Sequence, residues 1–195
     1  MSGQREITAK GIVVARRAAG EGSVRVSLYT DALGLVTALA KSAREERSKL
    51  RPHLQVGTLG IYRLVKGRDI WRVTGATDTE NIYFELGEND SAQKAAARVI
   101  QAVRQFVRGE GSDPYLFSSL IGFFETLPHI DERALPEAEC VAVLRMLAAL
   151  GYVAEDETTR AFLAASYDGA LLEKARGSHR ALVTRINEGI NASGL

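Results

Sequence analysis

Histidine occurs three times, as His53, His129 and His179, in three separate segments. General acid–base work needs such a group within hydrogen-bond reach of the reacting atom, usually beside a second titratable partner. A metal centre needs His, Cys or carboxylates clustered at ligand spacing. Neither pattern is present, and no HExxH, GxSxG, Walker A or GxGxxG motif occurs. Cys140 is the single cysteine and lies in AECVAVLRMLAAL, where helical spacing reads it as a buried core thiol. Glu155, Asp156 and Glu157 form an acidic run that reads as a solvated turn between helices. The expectation is a chain with no catalytic residue, no metal and no cofactor, and so not an enzyme.

The stronger chemical signal is cationic. In LAKSAREERSKLRPHLQVG, Lys41, Arg44, Arg47, Lys49 and Arg51 fall within eleven residues, offset only by Glu45 and Glu46. Arg16 and Arg17 end an apolar run, Lys66 and Arg68 sit in the hairpin turn KGRD, and Arg72 lies just beyond it. Converging cations bind phosphates because neutralising them releases condensed counterions. These ten residues are the candidate DNA-binding set, provided the fold brings them to one face. For the basic stretch itself, a flexible, solvated surface loop stays open as the plainer reading. Base stacking would add exposed aromatics. Tyr29, Tyr62 and Trp71 are the candidates, and their alternation with polar neighbours favours the core instead. The net charge of +1 divides unevenly, +6 over residues 1–80 and −5 over 81–195. Such asymmetry points the first half at a polyanion.

Elements that could position these residues follow from periodicity. EITAKGIVVARRAA is rich in strand formers, and SVRVSLYTD alternates, with Val24, Val26 and Leu28 on one side and Arg25 and Ser27 on the other. GEG and DALG are turn signals, so Ser23 to Lys41 reads as a hairpin. A second hairpin turns at Gly67. Five short strands in about 75 residues must escape their edges, and a closed barrel does so. The predicted fold is α+β: a five-stranded OB-fold barrel over residues 1–80, with an SH3-like barrel as the other option, then a helical bundle over 81–195. In the bundle, Ala95, Val99, Ala102, Val103 and Phe106 keep helical spacing, with Ser91 as N-cap and Gly109 as the stop. Asp113 and Pro114 open a second helix that Pro128 ends, and Pro136 and Gly151 bracket a third. The remainder reads as two helical pieces broken near Asp168–Gly169 or at Gly177. Leu116, Phe117, Leu120, Ile121, Phe123 and Phe124 are too many for one helix face. Most belong to the core, and a minority could line a partner groove.

With 46% hydrophobic and 25% charged residues, the composition is that of an ordinary globular chain. No apolar run reaches membrane-spanning length, and MSGQREITAK has no h-region. With a single cysteine, this predicts a reduced, cytoplasmic setting and no membrane partner.

The order of short motifs resembles the N-terminal domain of the bacterial repair and recombination mediator family RecO. The signs are GIVVARR in the first strand, the turn GEGS, TDALGL, the basic AKSAR, SKLRPHLQ and the hairpin GRDIWRV, with ECVAVLRMLAALGYV similar to the family's later LGY helix. The resemblance covers about the first 80 residues well and the helical part through that one helix. It implies an OB-fold followed by a helical domain, binding of single- and double-stranded DNA and annealing of complementary strands. It also implies work with RecR, single-strand DNA-binding protein and, indirectly, RecA, in the bacterial cytoplasm at the nucleoid. Many members carry four cysteines for a zinc module after the LGY helix. EDETTRAFLAASYDG stands there instead, so zinc is not expected, and the shorter chain implies a trimmed C-terminal region. Two other classes remain open: an adaptor whose basic barrel face receives acidic peptide tails, and a small enzyme with a deep pocket of titratable groups.

Overall fold

The structure, a computed structural model, describes residues 6–163 and 166–194. Two compact units emerge. One extends to Glu85 and takes in Arg108–Ser112, and the other comprises Leu86–Val107 and the chain from Asp113.

The first unit is a closed five-stranded barrel of strands β1 (Glu6–Ala19), β2 (Ser23–Thr30), β3 (Gly34–Ala40), β4 (Thr58–Lys66) and β5 (Trp71–Asn81). Its strand order is β1-β2-β3-β5-β4, and β1 closes onto β4. Every neighbouring pair is antiparallel except β3 and β5. This is the OB-fold arrangement, and the SH3-like option falls away. Period-two alternation fills the interior: Val24, Val26, Leu28, Val36, Ala38, Tyr62, Leu64, Trp71 and Val73 are buried together. The long β1 serves both neighbours. Gly11 faces Thr30 of β2 and Gly60 of β4, and a bulge between Val13 and Ala15 bends the strand.

A short helix, α1 (Ile82–Glu85), ends this unit, and Arg108–Ser112 returns to it. There the Leu35 amide donates to the Gly109 carbonyl, and the Gly111 amide donates to that of Leu33. Gly34, at φ +68, is required here, because a Cβ would sit 2.2 Å from the Gly111 carbonyl oxygen.

The second unit is helical: α2 (Asp90–Phe106), α3 (Pro114–Thr126), α4 (Leu135–Ala149), α5 (Arg160–Leu163) and α6 (Gly169–Ser193). Two expected caps are corrected. Asn89, not Ser91, caps α2 by accepting from the Ala92 amide, while the Ser91 hydroxyl donates to Glu132. The helix ends at Phe106, so Gly109 is not its stop but part of the return to the barrel. Asp113 and Asp168 cap α3 and α6 through the Leu116 and Leu171 amides. Gly177 lies inside α6 and breaks nothing, so the break falls at Asp168–Gly169. All six apolar residues singled out in α3 are buried, which removes the partner groove. Asp156 does organise a turn, accepting from the amides of Thr158 and Thr159 and pairing with Arg185. Among the described residues, no helix is long and apolar enough to cross a membrane.

Candidate nucleic-acid interface

Strand register, rather than closeness in sequence, decides which cations meet. Arg17 of β1 lies directly opposite Arg25 of β2, Arg25 opposite Leu39 of β3, and Leu39 beside Arg72 of β5. Arg25 and Arg72 are exposed between buried neighbours and so point outward, and exposed Arg17, directly paired with Arg25, shares its side of the sheet. The result is a lateral row of guanidinium groups across four adjacent strands, interrupted only by half-buried Leu39. Like charges placed directly opposite destabilise a sheet. A row of them is therefore a cost that a bound polyanion would offset. Arg25 was not in the sequence-derived set. Its only signal was an outward position in an alternating strand, two strands from Arg72.

Lys41 follows Ala40, one position beyond Leu39, and so extends the row into the stretch between β3 and β4. That stretch is a chain of turns and not a free loop. Ala43 is fully buried in the barrel core. The Arg44 amide donates to the Gly22 carbonyl, and its guanidinium donates to the Gly20 carbonyl at 3.2 Å. Backbone bonds then step from Ser48 to Glu45, Arg51 to Ser48 and His53 to Leu50. A 3-10 turn over Pro52–Leu54 closes it, with Leu54 buried and His53 bonded to Thr79 of β5. Lys41, Arg44, Arg47, Lys49 and Arg51 are all exposed on this scaffold.

The remaining candidates do not join the row. Arg16 faces the other side of β1 from Arg17, opposite buried Val26, and is half-buried. Lys66 pairs with Glu110 at 2.8 Å and lies 4.7 Å from the centre of the Trp71 ring. Arg68 is exposed in the adjoining turn. The three aromatics considered for stacking are all interior. Tyr29, Tyr62 and Trp71 are buried, Tyr62 donates to the carbonyls of His53 and Thr58, and the Trp71 indole donates to Glu110. Burial pushes the Tyr62 phenol far above its ordinary range. The barrel core takes the large apolar bodies of Tyr62 and Trp71, and the polar tip of each finds a partner there. The exposed aromatic of this unit is Phe84 in α1, which strand alternation could not single out.

Among the described residues no cluster of three or more His, Cys, Asp or Glu could hold a metal ion. Cys140 is buried in α4, where burial pushes its thiol up to about 11.

Comparison with known proteins follows the same division of the chain. The family model described as "Recombination protein O N terminal" matches residues 1–82. A protein named "DNA repair protein RecO" from Dehalococcoides mccartyi strain CBDB1 is 27% identical over 157 residues, covering 80% of this chain and 60% of the relative. The protein of that name from Chlorobium limicola is 29% identical over 133 residues, covering 65% of this chain and 48% of the relative. That from Synechocystis sp. PCC 6803 is 30% identical over 93 residues, covering 48% and 34%. The match thus spans at most 60% of the length of these relatives.

Proposed function

We propose, on the premise that this chain carries the N-terminal domain of the RecO family, that it is a DNA repair and recombination protein. Its barrel unit, which extends to Glu85 and takes in Arg108–Ser112, binds the phosphate backbone, and its helical unit meets protein partners. The observation that carries this reading is the outward row of Arg17, Arg25 and Arg72, continued by Lys41 and the exposed cations of the following turns. Phosphate contacts carry no sequence information, so binding tolerates any sequence. Two strands neutralised side by side on one cationic face repel each other less, which supports annealing of complementary strands without a covalent step. RecR, single-strand DNA-binding protein and, through them, RecA are the partners the family implies. No catalytic residue is required.

The test is fluorescence-anisotropy binding of a labelled single strand over a salt series. Each phosphate contact contributes about 0.7 to the slope of log affinity against log salt for single strands and about 0.9 for duplex. Lys49→Ala and Arg51→Ala are expected to weaken binding alike for all sequences and to flatten the slope by that amount. An unchanged slope in both variants removes this segment from the interface. No binding at low salt refutes the direct DNA reading.

A second reading has one observation behind it. Glu110 already places a carboxylate between the Lys66 ammonium at 2.8 Å and the Trp71 indole at 3.0 Å. A barrel that holds its own acidic side chain this way could receive an acidic tail. Competition between an acidic peptide and DNA separates an adaptor from a nucleic-acid binder.

A further inference from the structure

At the end of the barrel where β5 passes into α1, Arg16, Gln55, Val56, Asn81, Tyr83 and Phe84 line a recess of about 570 Å³. Its floor is fixed. Asn81 donates through Nδ2 to the Val56 carbonyl and the Thr58 hydroxyl, and accepts through Oδ1 from the Tyr83 amide. The Gly57 amide donates to the Val13 carbonyl, and the Gly57 carbonyl accepts from the Ile82 amide. Gly57 has φ +82, and a Cβ there would lie 2.7 Å from the Tyr83 ring, so the ring rests directly on backbone. Phe84 behaves differently. It is 83% exposed, a rare state for a phenylalanine in a unit whose other large aromatics are covered. The Arg16 Nε is buried and makes no hydrogen bond. Such a donor is costly without an acceptor.

Gln55 joins the recess to the basic turns, since its side-chain amide donates to the Arg51 carbonyl at 2.9 Å. A strand whose phosphates follow Lys49 and Arg51 would pass its next unit over this recess. We infer that the recess is a base-stacking pocket for single-stranded nucleic acid: an unpaired base lies on the Phe84 ring and Arg16 takes an acceptor oxygen of the adjoining phosphate. A duplex keeps its bases stacked and cannot use it. The inference rests on the nucleic-acid reading above and adds to it a preference for single strands.

The experiment compares a labelled thymidine strand with an abasic strand of the same length and charge, using the full chain at one salt concentration. The wild-type protein is expected to bind the thymidine strand roughly 5- to 150-fold more tightly, the range that stacking of one base supplies. Phe84→Ala should abolish that difference while leaving abasic binding and the salt slope unchanged. Because Phe84 is exposed, the variant should melt as the wild type does. Phe84→Trp should restore the preference, with the new indole quenched by the strand. Arg16→Gln should weaken both strands and take about 0.7 off the slope; unchanged affinity for both refutes the phosphate contact. Equal wild-type affinity for the two strands, or an unaltered preference in Phe84→Ala, overturns the pocket while leaving the cationic row standing. If neither strand binds, the nucleic-acid reading falls and the pocket with it. If Phe84→Ala instead loses an acidic peptide ending in phenylalanine and keeps the strand, the recess belongs to a peptide and the inference is overturned.

Discussion

Replacing Arg25 by Thr should make the barrel more stable and a poorer binder at the same time. Arg25 stands directly opposite Arg17, and Arg72 lies two strand spacings away across Leu39. At about 7 Å in water-like dielectric, the first pair repels by about 0.6 kcal/mol; at about 10 Å, the second repels by about 0.4 kcal/mol. Screening reduces the total to about 0.8 kcal/mol at 0.01 M salt, about 0.4 kcal/mol at 0.1 M and under about 0.1 kcal/mol at 1 M. Threonine is a good strand former at an exposed position, so no propensity loss offsets the gain. For a chain of this length the low-salt gain corresponds to about 2–3 °C in Tm, fading as salt rises. The same variant should lose one phosphate contact and flatten the single-strand salt slope by about 0.7. Melting curves at the three salt concentrations and anisotropy titrations read both quantities. If Arg25→Thr is destabilised at low salt, or gains stability yet keeps its salt slope, the row is not held in readiness for a polyanion.

Two further predictions concern the helical unit. Asn89→Ala should cost about 1 kcal/mol by removing the acceptor of the Ala92 amide, and Ser91→Ala clearly less, as read from urea unfolding; the reverse order would restore Ser91 as the cap. The Cys140 thiol is raised from 9.0 to about 11 by burial, so the folded state holds its proton after the unfolded state has lost it. Its contribution is full below pH 9 and is lost as pH rises towards about 11, and a thiol reagent at neutral pH should label it only on unfolding.

What the sequence makes legible here is periodic, and what it hides depends on pairing. Val24, Val26 and Leu28 declare their side of β2 because the period is two, and the turn glycines mark both hairpins. Asp113, with Pro114 behind it, announces a helix start without any tertiary information. Arg16 and Arg17 look like one basic pair, yet adjacent residues on a strand face opposite ways, and the structure sends Arg16 to the recess and Arg17 to the row. Arg25 is isolated in sequence and becomes central only through the register of β2 with β1 and β3. Glu110 lies 44 residues from Lys66, in a segment that helical periodicity assigns to no element. Aromatic residues misled for a related reason: alternation tells which side of a strand a ring occupies, but Phe84 stands on a four-residue helix too short to show a period.

The two kinds of cation should also do different work. Arg17, Arg25 and Arg72 project from paired strands, so the barrel fixes their spacing before any ligand arrives. Little ordering entropy is then lost at the backbone when they bind, and removing one leaves the others in place. Lys49 and Arg51 stand on turns outside the sheet ladder, so backbone ordering adds to the side-chain ordering of about 0.5–1.5 kcal/mol that every one of these cations gives back. Equal slopes per residue are therefore compatible with unequal affinities. Loss of an arginine from the row should cost more affinity than loss of Lys49, while both change the salt slope by one contact. Sequence clustering ranks these residues the other way, because it counts neighbours along the chain and not neighbours across the sheet.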